Sequence, residues 1–370
     1  MKIQFLTAYY PPFLSNFFEL NEHLKNESYD VILNKLLDEC FADTGALYFH
    51  TKKIGCEPFI IISNCEILQK KWALENNVSY NEQNWLVEIA FAQIKKFKPD
   101  VFYLEYVFEF FGDFLNEVKP YCKQVSSWIS SPLNNKIPLK GIDLIFSSTP
   151  DFINQFKGAG FEAEYMHPAF DVRILDKINN PKDKNIPFSF VGGWSDVHLN
   201  RKAALTKLVA TTPIKLWGYT YKKKYSKLSF DYFKDWVINY NNPILKAYCG
   251  EAWGLNMYDI IQRSLVTFNI HESLLKGYVG NMRMFEATGV GTMILNDNGT
   301  NLAELFTPQK EIETYSTIDE AIEKVNYYIM NPEKAIEIGK NAQIRTVRDY
   351  NYDEYVAKLM RDIKKYSGIY

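Results

Sequence analysis

The chain has 370 residues, 47% of them apolar and 16% aromatic, which is ample for folded cores and too long for one typical core, so two domains are expected. A formal net charge of −2 excludes a global polyanion-binding surface, and no nucleic-acid partner is expected. No segment approaches the roughly 20 apolar residues that span a bilayer. The five cysteines, Cys40, Cys56, Cys65, Cys122 and Cys249, form no C-x-x-C and point to reduced thiols in a cytoplasm without a zinc knuckle.

In chain order, MKIQFLTAYYPPF reads as a first strand, since its apolar run is too short for a signal peptide. Short apolar runs then alternate with helical patterns, the signature of βαβ units and a parallel sheet. Strands are expected at 3–8, 58–63, 101–106, 124–129, 144–148 and 163–166, with amphipathic helices such as 85–96 and 150–159, the latter closed by Gly160. KINNPKDKNIP, residues 177–187, reads as an interdomain linker that buries nothing. The pattern restarts with strands at 188–191, 214–217, 265–270, 292–296 and around 312–315. Helices are expected at 201–210, 256–264, 281–287, 317–330 and 332–350, and a basic amphipathic helix at 353–366 closes the chain. The division is therefore 1–176, a linker at 177–187, 188–350, and a last stretch 351–370 that packs back on the first domain. Two such α/β domains imply a cleft faced by the carboxyl ends of both sheets, where ligands bind.

The segment 277–297, GYVGNMRMFEATGVGTMILND, carries the strongest chemical signal. Gly280 opens a helix that Asn281 can cap, and the N–H groups at that end suit a phosphate. Glu286 follows on the same helix, placed to accept hydrogen bonds from a diol such as a ribose, with Arg283 between them. Phosphate at one end and ribose at the other describe a nucleotide; an ordinary αβ unit with Met282, Met284 and Phe285 in its core is the alternative. Gly192 and Gly193 follow the strand FSFV and allow close approach to backbone, and Arg201 in the next helix can pair with a phosphate. The segment is not G-x-G-x-x-G and has no Walker lysine. From Arg201 to Lys227 every charged residue is basic, interleaved with Trp217, Tyr219, Tyr221 and Tyr225: a solvated loop, or a surface for a phosphorylated ligand or acidic lipid. His271 and Glu272 fall at the carboxyl end of a strand, the place for ligand contact, and no histidines stand at metal-ligand spacing. In the first half, Glu105 ends the strand of KPDVFYLEY, with Glu109 and Asp113 beyond it, and is a candidate general base or a helix-capping carboxylate. The loops 7–13 (TAYYPPF) and 128–134 (WISSPLN) are expected at the same cleft, with aromatics and hydroxyls suited to sugars. His50 and His167 rank behind these.

From about Phe188 to Tyr350 the chain resembles the GT-B glycosyltransferases, in particular the branch that includes the CgeB-like spore-maturation proteins. The resemblance is carried by VGGWSDVHLNRKAAL, LWGYTY, SLVTFNIHE, NMRMFEATGVGTMILND, ELFTPQKEIETYST and Arg345–Tyr350. It implies two Rossmann-like domains, an acceptor domain and then a nucleotide-sugar domain. It further implies that Glu286 holds the donor ribose, that Gly280, Asn281 and Arg283 meet the diphosphate, and that Gly192, Gly193 and Arg201 form the other phosphate-facing loop. Tyr219 and residues 251–257 (EAWGLNM) would cradle the base, and His271 and Glu272 would read the donor sugar. Glu105 falls near a position where relatives carry a sugar-contacting histidine, so it is the base of an inverting enzyme or a hydroxyl ligand. Glu272 precedes Glu286 by 14 residues, a wider gap than relatives show between their paired glutamates, and Tyr9-Tyr10-Pro11-Pro12 replaces their glycine pair.

The expectation is a metal-independent glycosyltransferase without a cofactor. It would move a sugar from a nucleotide diphosphate sugar to a saccharide or lipid-linked acceptor in bacterial surface polysaccharide or glycoconjugate synthesis. Catalysis would rest on Glu105 and His271, in the cytoplasm or peripherally at the inner membrane face. A nucleotide-sugar epimerase and a noncatalytic nucleotide- or glycan-binding protein of the same fold remain the alternatives.

Overall fold

The computed structural model describes residues 1–131, 138–178, 183–193, 199–219, 243–271 and 277–368. The chain divides into two units, Met1–Asp171 with Asn351–Tyr370, and Val172–Tyr350. In the first, β1 (Lys2–Thr7), β2 (Glu57–Ile62), β3 (Val101–Leu104), β4 (Gln124–Trp128), β5 (Leu144–Ser147) and β6 (Ala163–Tyr165) form one sheet in the order β2-β1-β3-β4-β5-β6. Every pairing is parallel; Leu6, for example, stands between Ile61 and Leu104. Parallel strands joined through helices are covered on both faces, which is why β3 reads as an unbroken apolar run and buries all its residues. The strand order reverses between β1 and β3.

The second unit repeats the plan with β7 (Ile186–Val191), β8 (Ile214–Trp217), β9 (Ser264–Asn269), β10 (Met293–Asp297) and β11 (Glu313–Tyr315), ordered β11-β10-β9-β7-β8 and parallel throughout. Its core gathers Phe188, Leu205, Val266, Phe268, Leu295 and Tyr315. The reversal here lies between β7 and β9, so the crevice outside their carboxyl ends is the place where a ligand meets this sheet.

Among the described residues all 11 strands fall within two residues of the positions expected from the sequence. Two expectations need correction. Residues 7–13 are not a loop: the helix Pro11–Leu20 starts there, with prolines at its first positions and Phe13 buried. Residues 177–187 do not form a linker free of burial. Ile178 and Ile186 are buried, β7 begins at Ile186, and Lys184 Nζ donates to Gln262 O at 2.7 Å and to Thr292 Oγ1 at 2.9 Å. The polar composition masked a lysine that ties off the end of the helix Gly254–Arg263.

The last helix, Tyr352–Ser367, belongs to the first unit and packs on the helix Thr44–Lys53. Asp353 in its first turn meets His50 Nδ1 at 2.8 Å and Lys53 Nζ at 2.7 Å, and Lys365 near its end reaches Glu164 at 2.9 Å. No helix among the described residues is long and apolar enough to cross a membrane.

Candidate functional site

The reversal point of the second sheet is bridged by Arg201. Its guanidinium donates to Gly193 O at 2.8 Å, just beyond β7, and to Ile270 O at 3.2 Å, just beyond β9. Gly192 N–H continues the β7–β8 ladder by donating to Trp217 O at 2.9 Å. Gly193 allows close approach: a Cβ there would sit 3.2 Å from the Tyr219 ring, which would have to give by a few tenths of an ångström. Tyr219 in turn stacks on Trp253, with ring centroids 5.5 Å apart and planes at 20°. Gly192, Gly193, Arg201 and Tyr219 thus come together at one edge of the crevice, and Trp253 joins them.

The other edge is the helix Met282–Gly289. Gly280 precedes it at φ 133°, a conformation that side chains rarely adopt, and this turns the chain into the helix start. Asn281 caps the helix, its Oδ1 accepting from Met284 N–H at 3.3 Å. The same side chain exchanges amide hydrogen bonds with Asn269 at 3.0 and 3.1 Å, and Asn269 donates to Asn296 at 2.6 Å. This asparagine ladder fixes the helix start to the carboxyl ends of β9 and β10. Glu286 is 7% exposed, its Oε2 2.8 Å from Arg283 Nη1 and its Oε1 3.4 Å from the Tyr258 hydroxyl. Arg283 and Glu286 therefore form one ion pair on the helix face that Tyr258 and Met257 overlie.

His271 lies just past β9, its backbone held by Asp297 Oδ2 at 3.0 Å. Its Nδ1 meets Asp297 Oδ1 at 2.7 Å, and its Nε2 accepts from Gly280 N–H at 3.1 Å and Asn281 N–H at 3.2 Å. Both ring nitrogens are engaged, so in this arrangement the imidazole braces the loop instead of standing ready as an acid or base. A cavity of about 370 Å³ borders His271 and Asp297, lined also by Tyr278, Val279, Tyr315 and Thr317. Glu272 lies outside the described residues, as do Lys222, Lys223, Lys224, Lys227, Tyr221 and Tyr225 of the basic aromatic run. Within the described part of that run, Lys207 pairs with Asp319 at 2.6 Å.

In the first unit Glu105 follows β3, its N–H donating to Leu6 O at 2.9 Å. Its Oε2 is buried without a hydrogen-bond partner. Burial, and next the negative charge of Asp43, push the Glu105 carboxyl well above the usual carboxylate range, against a hydrogen bond from Thr7 that pulls it down. A cavity of about 450 Å³ in the same unit is lined by Pro11, Leu14, Phe18, Asn64, Cys65 and Ile67, and Glu105 does not line it. Glu109 is exposed and Asp113 opens the helix Asp113–Val118. His50 is spent between Asp353 and Asp171, and His167 Nδ1 meets Pro168 O at 2.9 Å, its imidazole held below the ordinary value by burial. All five cysteines are free thiols, and among the described residues no group of three or more His, Cys, Asp or Glu is arranged to hold a metal ion.

The sequence reading missed Asn269, Asn296, Asp297 and Tyr258. Each sits on a strand end or helix face whose period was legible, but a polar residue inside an apolar pattern does not announce its partner.

Known proteins give this geometry a class. Residues 200–361 match a family model described as glycosyl transferase-like. Among solved structures, AviGT4, a glycosyltransferase involved in avilamycin A biosynthesis, superposes with a TM-score of 0.59 at 12% identity, over 100% of this chain and 98% of that one. HepE from Anabaena, in complex with UDP-glucose, gives 0.57 at 12% identity, over 99% of this chain and 100% of its own. Sucrose-phosphate synthase from Thermosynechococcus elongatus gives 0.55 at 9% identity, over 98% of each. No curated protein matches by sequence. The two parallel sheets, six and five strands wide, are the two Rossmann-like domains of the GT-B fold. The chain carries a glycosyl transferase-like domain on that fold and is an enzyme of the glycosyltransferase type.

Proposed function

We propose that the protein transfers a glycosyl group from a nucleoside diphosphate sugar, held by the second unit, to a hydroxyl of a saccharide or lipid-linked glycan. The observation that carries this reading is the helix Met282–Gly289. A capped N-terminus with two adjacent backbone N–H groups stands at one end, and a buried glutamate paired with an arginine stands one and a half turns on. Glu286 takes the ribose hydroxyls, Gly280, Asn281 and Arg283 with Arg201 and the Gly192–Gly193 loop meet the diphosphate, and Tyr219 with Trp253 flanks the base. The crystal complex of HepE with UDP-glucose supports a nucleotide sugar as the donor class. Glu272 contacts the sugar itself.

Departure of a nucleoside diphosphate places negative charge on the leaving oxygen, and in this reading Arg201, Arg283 and the helix N-terminus stabilise it without a metal. Glu105 takes the proton of the acceptor hydroxyl. A carboxyl raised above its ordinary range is a stronger base once ionised. The product belongs to surface polysaccharide or glycoconjugate synthesis, with the enzyme working peripherally at a membrane face when the acceptor is lipid-linked.

A thermal-shift panel of UDP, GDP, dTDP and CMP with their sugar conjugates tests the donor site. The expected result is stabilisation by one nucleotide class and its loss in Glu286→Ala. No stabilisation by any member would overturn the assignment. Binding without release of nucleotide from any sugar conjugate would instead mark a binding protein, and interconversion of the sugar on an intact nucleotide an epimerase.

A further inference from the structure

The protonation state of His271 follows from its neighbours. A backbone N–H can only donate, and both Gly280 N and Asn281 N reach Nε2, at 3.1 and 3.2 Å. Nε2 is therefore bare, and the one ring proton sits on Nδ1 and is donated to Asp297 Oδ1 at 2.7 Å. The His271 side chain is 3% exposed, so water does not take over these contacts. A protonated ring could not accept the two N–H groups. The neutral imidazole thus occupies, through Nε2, the very donors assigned above to the diphosphate.

We propose that His271 is a proton-linked positioning residue, which holds the Gly280–Asn281 N–H pair in place and releases it to the nucleotide diphosphate by taking up a proton. This rests on the donor reading of the site. When a phosphate oxygen accepts the two N–H groups, Nε2 regains a free lone pair beside a new negative charge. Asp297 on one ring nitrogen and the phosphate on the other both favour the imidazolium, whose Nε2–H then donates to the phosphate oxygen. The balance is one solvent proton gained by Nε2, with no covalent bond made or broken. Among the described residues the charged and titratable groups around the ring include Asp297 at the end of β10, Arg201 against the Ile270 carbonyl, Tyr278 in the lining of the adjoining cavity, and Tyr315 of β11, whose hydroxyl donates to Asn269 O at 2.9 Å. Burial keeps the Tyr315 hydroxyl protonated, so it adds no charge. The imidazolium formed on binding would then face the leaving phosphate as its charge grows.

The test is isothermal titration of the full chain with UDP, and with GDP if UDP gives no heat. It is run at about pH 8 in buffers of different ionisation heat, where a terminal phosphate with a pKa of about 6 has no proton left to contribute. The expected result is net proton uptake on nucleotide binding, and a Kd that weakens as pH rises, by at most about tenfold per pH unit for one linked proton. His271→Gln keeps an acceptor for the two N–H groups and cannot titrate, so its uptake and its pH slope should vanish while binding persists. Asp297→Asn, which removes the charge that supports the imidazolium, should lower the uptake. Wild-type binding without net proton uptake overturns the proposal, whatever the variants do, and so does uptake that survives in His271→Gln. If neither nucleotide binds, the titration is repeated with dTDP, and a wild type that binds none of the three overturns the donor reading, and this proposal with it.

Discussion

Replacing Glu286 by alanine probes the ribose contact and can be worked through in magnitude. The carboxylate is 7% exposed, 2.8 Å from Arg283 and 3.4 Å from the Tyr258 hydroxyl. Hydrogen bonds to a charged group contribute about 1.5–3 kcal/mol each. Two ribose hydroxyls on a carboxylate already shared with Arg283 belong at the lower end, about 3 kcal/mol together, which is a Kd about 100-fold weaker. Arg283, its side chain 16% exposed, also loses its counter-charge. The full penalty for breaking a buried pair is about 3–5 kcal/mol, and partial solvation of the arginine reduces it to about 1–2 kcal/mol, a Tm lower by about 2–8 °C. The assay is a double cycle by titration calorimetry, with UDP and its 2′,3′-dideoxy analogue against the wild type and Glu286→Ala. The wild type should discriminate about 100-fold and the variant should bind both ligands alike. Additive losses from the missing diol and the missing carboxylate would refute the contact, as would a wild type indifferent to the diol.

Three further outcomes follow. Because the folded-state pKa of Glu105 is raised, the native state holds a proton that the unfolded chain loses above about pH 4.3, so this residue lowers stability as pH rises from there toward its folded pKa. Glu105→Gln should therefore raise Tm at neutral pH and flatten that part of the Tm-against-pH curve, while lowering kcat by about 100-fold or more; a lower Tm would show that the carboxylate is paired and ordinary. Trp253→Ala removes the ring stacked on Tyr219 and should weaken nucleotide binding by about tenfold, read by calorimetry, and leave the diol discrimination of Glu286 intact. Activity should persist in excess EDTA, and loss restored by a divalent cation would contradict charge neutralisation by Arg201 and Arg283.

How much of this was legible in the sequence depended on the kind of signal. Parallel strands covered on both faces announce themselves as apolar runs, so VFYL and SLVTFN were visible as β3 and β9 from composition alone. The cap at Asn281 was equally plain, since an N-cap is a local contact between residues three apart. His271 was visible only as a histidine at a strand end. Its commitment to Asp297, Gly280 and Asn281 joins segments 9 to 26 residues away, which no local pattern encodes. The same holds for Lys184, whose polar neighbours imply solvent although its ammonium is pulled down to about 8 by burial. Glu105 was picked out by its place after β3; that Asp43 bears on it, from a helix start 62 residues earlier, became apparent only in the fold.

The central claim is that this chain breaks a nucleotide–sugar bond at a site built on Glu286. The direct measurement incubates the full chain with a panel of UDP-, GDP- and dTDP-sugars and detects free nucleoside diphosphate and the transferred or hydrolysed sugar by mass spectrometry. The account predicts release from one donor class, slow with water and faster with a glycan acceptor, and abolished in Glu286→Ala. A folded wild-type protein that releases no nucleoside diphosphate from any donor, with or without acceptors, would contradict it.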